Sequence, residues 1–155
     1  MTYFDEYGSR RITGKQLSDN FNEREFLCTC NGQHCSGLHE DGVNPLLVIL
    51  LQRIREYYDK PVVLNSGYRC PQRNEDVGGV PKTGRSIGSR HMYGTAADIR
   101  IQSVPARKVG RVAEDLLREL RLKDERFKGV YGGIGIYPRR FTHIDVRKSK
   151  ARWTG

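Results

Sequence analysis

Hydrophobic and polar positions along the chain alternate with two distinct periods. Leu47, Leu50, Leu51, Ile54 and Tyr58 recur at three- and four-residue intervals, which predicts an amphipathic helix from Pro45 to Tyr58. Pro45 suits the first turn, where its missing N–H is not needed. Pro61 ends the helix, because the residue before a proline resists helical geometry. Val109, Val112, Ala113, Leu116, Leu117 and Leu120 repeat the helical pattern, with Ser103 as a candidate cap. Between the helices, Val62-Val63-Leu64 reads as a short buried strand. The next strand, 96–101, puts Asp98 and Arg100 on one face and Ala97, Ile99 and Ile101 on the other. Two more strands follow, at 132–137 and 141–147. In the second, His143, Asp145 and Arg147 share one face, and Thr142, Ile144 and Val146 share the other.

Residues 70–90 are rich in Gly, Pro and charge, and predict a long surface loop. Residues 1–43 are polar and turn-rich. They read as an N-terminal wrap with one short helix near 22–26, ahead of a core over 44–155. Helices early and midway, with short strands between and after them, predict a single α+β domain with a small, mostly antiparallel sheet. Its two ligand-bearing strands would turn their polar faces to a common cleft.

At 155 residues the chain can close its own hydrophobic core. No run approaches the roughly 18 apolar residues that a membrane span needs. Met1 to Glu6 lacks the basic start and apolar stretch of a secretory signal, so the chain is expected either to act in the cytosol or to leave by a route that needs no classical signal. The balance of 27 Lys+Arg against 18 Asp+Glu leaves a formal charge of +9. That surplus suits an anionic partner, a wall polymer, membrane surface or nucleic acid, or simply keeps the protein soluble. No nucleic-acid-binding pattern stands among the basic residues.

Cys28, Cys30 and Cys35 crowd together, with His34 and His39 beside them and Cys70 apart. The spacing matches no standard zinc-finger template. Reduced thiols are the expected state, with a small metal site or a disulfide from Cys70 as alternatives.

The densest chemistry lies in Ser89-Arg90-His91-Met92-Tyr93-Gly94-Thr95-Ala96-Ala97-Asp98 and in His143-Ile144-Asp145. Two imidazoles and one carboxylate leave a fourth position open on a divalent ion, as in a catalytic zinc site. Such an ion makes a nucleophile from water near neutral pH and polarises a carbonyl. On spacing alone, hydrogen-bonded structural histidines are the commoner reading.

His91-x-x-Gly94-x-Ala96-x-Asp98, preceded by Ser89, resembles the core motif of the M15 peptidases, zinc D-Ala-D-Ala carboxypeptidases and murein endopeptidases. Asn65-Ser66-Gly67-Tyr68-Arg69-Cys70-Pro71, with Asn74 and Gly78-Gly79, resembles the family's Ser-Gly-Tyr-Arg segment. Gly132 to Pro138 and His143 to Arg147 resemble its closing segment. The likeness covers roughly residues 18–153 and is closest to the small branch carried by bacteria and phages.

The resemblance implies one zinc ion held by His91, Asp98 and His143, and Arg69 gripping the substrate's terminal carboxylate. It implies hydrolysis of amide bonds in peptidoglycan stem peptides or cross-links, as in a phage or prophage lysis enzyme, by a monomer that neither inserts in a membrane nor binds a specific nucleic acid. Ser89 is expected to bind the substrate backbone or to shape the ligand loop. Tyr137 is a candidate donor to a developing oxyanion, or a packing residue. The chain departs from several branches of the family before the last histidine. Arg140 and Phe141 stand where a catalytic acid or histidine is found there. Asp145 is then the nearest acidic candidate, as general base or as the group that orients His143. A non-catalytic, zinc-containing wall-binding module is the alternative function.

Overall fold

The computed structural model describes residues 14–155, so part of the predicted N-terminal wrap, with the Met1 to Glu6 stretch, lies outside the described residues. A small hairpin, β1 (Gln16–Ser18) and β2 (Phe21–Asn22), leads into a 3-10 turn, Glu23–Phe26. Asn22 and Glu25 cap that turn reciprocally, each side chain accepting from the other's end of the backbone. This is the short helix expected near 22–26, tightened to one turn.

Helix α1 (Pro45–Tyr58) has the predicted bounds, with the Asn44 side chain accepting from Leu46 N and Pro45 at the first position. Strand β3 (Val62–Ser66) runs two residues beyond its predicted end. The supposed 70–90 loop contains a short helix, α2 (Pro71–Asp76), started by Pro71 and capped by the Cys70 sulfur. Only six residues long, it was too short to show a periodic apolar stripe.

Strand β4 (Ala96–Ile101) matches its prediction, and helix α3 (Ala106–Lys123) buries the predicted stripe. Ser103 does not cap α3. It sits at φ 65° in the turn that pairs Ile101 with Val104, and the helix starts after Pro105 without a side-chain cap. Strands β5 (Gly133–Tyr137) and β6 (Phe141–Asp145) follow, then β7 (Ala151–Thr154), which hydrophobic alternation did not reveal.

The main sheet has the order β3-β4-β6-β5-β7, antiparallel except for the parallel pair β5 and β7. The protein is a single α+β domain with two main helices on one face of this sheet. Ala97, Ile99, Ile134 and Ile144 point to that face and meet Leu47, Leu50, Leu51, Ile54, Leu117 and Phe127 in one core. Each of the Leu, Ile and Phe side chains contributes about 1.5–3 kcal/mol of burial free energy. The period of two then sends Asp98, His143 and Asp145 to the opposite face.

Candidate metal centre

Strand register brings the polar residues together. Asp98 on β4 pairs with His143 on β6, and Gly135 and Gly133 on β5 pair with His143 and Asp145. The glycines leave the space that neighbouring side chains occupy. A Cβ on Gly133 would collide with the Asp145 carboxylate, and one on Gly135 with the Trp153 ring. His91 arrives from outside the sheet, on a 3-10 turn (Arg90–Tyr93) closed by Gly94 at φ 71°. Gly94 is required twice over, since a Cβ there would also lie 2.6 Å from the Gly42 carbonyl.

His91, Asp98 and His143 are 1%, 5% and 7% exposed, and one ligand atom from each lies within 4.8 Å of the others. His91 Nε2 is 3.1 Å and His143 Nδ1 is 3.0 Å from the same oxygen, Asp98 Oδ1. The far nitrogen of each ring is already engaged. His91 Nδ1 is 2.7 Å from the Gly67 carbonyl, and His143 Nε2 is 2.8 Å from Asp145 Oδ2.

Those partners determine the tautomers. A carbonyl and an ionised carboxylate only accept, so the far nitrogens carry the protons. A neutral imidazole then turns its lone pair inward in both cases, toward a carboxylate oxygen that also only accepts. Three acceptors facing one another are stable only around a proton or a cation. The N, O, N donor set is one that zinc accepts, with a coordination position to spare.

Without an ion the electrostatics divide the two rings, one held neutral and the other favouring a proton among the acceptors. Burial pulls the His91 pKa down and outweighs its bond to Asp98, favouring the neutral ring. Burial also opposes charge on His143, but the bonds to Asp145 and Asp98 prevail and raise its pKa. Asp98 and Asp145 are held well below the usual carboxylate range despite burial. For Asp98 the cause is the two histidines, and for Asp145 it is His143 and Arg147.

Asp145 is fully buried and saturated. It accepts from Gly133 N, Arg147 N, Arg147 Nε and Arg147 Nη2 besides its contact with His143. Of the two roles expected for it, these contacts favour orienting His143 over taking a proton from water. Arg69 sits on the other side of the cluster, with Nη2 3.5 Å from Asp98 Oδ2 and Nη1 3.3 Å from Asn74 Oδ1. Its Nε is buried without a hydrogen-bond partner.

Ser89 caps the ligand turn, its Oγ accepting from His91 N at 3.3 Å, which favours the loop-shaping role. The Tyr93 hydroxyl donates to the Ile87 carbonyl. Tyr137 stacks on Phe141 and its hydroxyl accepts from Trp153 Nε1, leaving its own proton available. Trp153 is a wall of the site, its ring centroid 5.0 Å from that of His143, a pairing that the sequence alone could not show. Nor could sequence show the Gly67 carbonyl on His91, because a backbone acceptor carries no residue signature.

A cavity of about 660 Å³ adjoins the ligand turn, lined by Asn74, Gly79, Pro81, Met92 and Tyr93 among others. A slightly larger one, about 680 Å³, lies at the start of α3, and none of the three candidate ligands lines either cavity. The former shares Asn74 with Arg69 and is the better candidate for a substrate cleft. Among known proteins, a family model described as Peptidase M15 matches residues 19–145. No curated protein and no solved structure matches the chain.

Proposed function

The chain belongs to the M15 peptidase family, and from that premise we propose that it is a zinc metallopeptidase cutting amide bonds of peptidoglycan stem peptides or cross-links. The observation that carries the reading is the inward convergence of His91 Nε2, Asp98 Oδ1 and His143 Nδ1, with both far nitrogens held by acceptors. These three residues would hold the ion, which supplies Lewis acidity toward a water and a scissile carbonyl.

The chain's own groups account for the rest. Asp145, clamped by Arg147, orients His143 and fixes its tautomer. Arg69 has Nε free of protein partners and a planar fork suited to a substrate carboxylate, so it sets the substrate's register. The Tyr137 hydroxyl, polarised by the Trp153 donor, can donate to an oxygen that gains charge. The formal charge of +9 supports an anionic wall as the setting.

The deciding experiment pairs zinc content with release of amines from purified peptidoglycan, for the parent protein and His143→Ala. Zinc with hydrolysis, both lost in the variant, is the expected result. Zinc without hydrolysis on any wall tested would favour the wall-binding module, a reading that the saturated Asp145 makes worth testing. Binding of no metal at the histidines would refute both.

A further inference from the structure

Away from the His91 centre, four sulfurs meet. Cys28, Cys30 and Cys35 come from the segment after the Glu23–Phe26 turn, and Cys70 is supplied by the start of α2. All four Sγ atoms lie within 4.8 Å of one another. Cys28 and Cys70 are 3.7 Å apart, and Cys30 and Cys35 are 3.4 Å apart. With Zn–S bonds near 2.3 Å, the edge of a tetrahedral tetrathiolate is about 3.8 Å. We propose that these cysteines form a second, structural zinc site.

Three features of the surroundings suit a metal-bound cluster. Backbone N–H groups of Cys70, Arg73 and Gly37 each donate to a cluster sulfur at 3.4 Å, which favours the anionic form. The chain between Cys30 and Cys35 turns back through two residues of positive φ, Asn31 at 57° and Gly32 at 81°, so both ends of a short loop face one point. Four thiolates around a divalent ion leave net negative charge, and Arg69 and Arg73 flank Cys70 in sequence. Arg73 Nε also reaches across to Thr29 Oγ1, between two of the ligands.

The fold supplies a reason for such a staple. From 27 to 44 the chain has neither helix nor strand, and the sulfurs form an apolar cluster of their own with Tyr68, apart from the main core. This long irregular segment reaches the main core through Leu27, Leu38 and Val43, and metal binding would tie down the stretch between them. Cys70 directly follows Arg69, and Tyr68 N donates to the Phe26 carbonyl. Closing the four-sulfur site therefore anchors the segment that carries Arg69. The site is closed, with four protein ligands and no open position, so its role is structural.

The test uses the full chain carrying His91→Ala and His143→Ala, which removes the other centre, purified under reducing conditions with zinc present. One zinc per chain is expected to remain by elemental analysis, against two in the parent. Titrating the thiols with an organomercurial should release it in proportion, and cobalt in its place should show thiolate-to-metal charge-transfer absorption. Cys70→Ser in the same background should lose the ion. If that variant fails to fold, the zinc count and cobalt spectrum of the double-histidine protein still decide.

One zinc in the parent and none in the double-histidine protein would overturn this site and leave the metallopeptidase reading intact. One zinc in each would support this site and remove the His91 centre. Four freely reacting thiols with no bound metal, or a mass that shows disulfides, would also overturn the proposal.

Discussion

The guanidinium of Arg69 is anchored at its tip by Asn74 and Asp98, while its buried Nε lacks a partner. Burial lowers its pKa, but arginine keeps its charge, so the group stays a cation with spare donor capacity. Lysine at this position keeps the charge and loses the planar fork. With hydrogen bonds to charged groups worth about 1.5–3 kcal/mol, Arg69→Lys should lower kcat/KM about 10- to 100-fold on peptides with a free terminal carboxylate. The same peptides amidated at the C-terminus should show little change, and steady-state kinetics on the pair would check this. Equal losses on both would argue that Arg69 only braces Asp98. At this scale the sequence was informative: His91, Asp98, His143, Asp145 and Arg69 are all within reach of one centre. The choice between roles for Asp145 was not legible, because it depends on which N–H groups surround it.

Strand β5 shows how an element builds the site by omission. Its glycines at 133 and 135 face Asp145 and Trp153, and the parallel pairing with β7 sets Trp153 beside Gly135. Gly135→Ala adds a Cβ where the indole ring lies, so the ring must move away from His143. Overpacking of this kind costs about 1–3 kcal/mol. Trp153 is the only tryptophan in the chain, so its emission reports the displacement directly. The variant should show a shifted emission maximum and a lower denaturation midpoint while still binding zinc at the histidines. An unchanged spectrum would mean that the ring does not line the site. Periodicity located α1, α3 and β4, which bury a regular stripe or alternate clearly. It missed α2, too short to repeat, and β7, whose place depends on a parallel partner far earlier in the chain.

Across the whole molecule, the polar face of the sheet carries buried charge that the core face does not. Asp145 has its pKa depressed by His143 and Arg147, which prevail over burial, relative to about 3.9 in an unfolded chain. A depressed carboxylate contributes stability that is fully present above the unfolded value and is lost as pH falls through the folded one. Metal-free protein should therefore lose stability progressively below about pH 4. Asp145→Asn should be about 3–5 kcal/mol less stable near neutrality, since Arg147 and His143 lose their counter-charge. Its stability should also fall less steeply in acid, as urea midpoints of chelator-treated protein across that range would show. A parallel acid limb in the two proteins would contradict this account of Asp145. The sequence by itself determined the fold class, the main helices, the faces of β4 and β6, and the residues able to bind a metal. Those follow from local periodicity and residue chemistry, which need no partner. Only the tertiary structure decided that two imidazole lone pairs turn to one carboxylate oxygen, that Asp145 is saturated, and that Cys70 meets three cysteines some 40 residues earlier. Each is a contact between distant segments, set by strand register and chain crossing, and no local pattern encodes it.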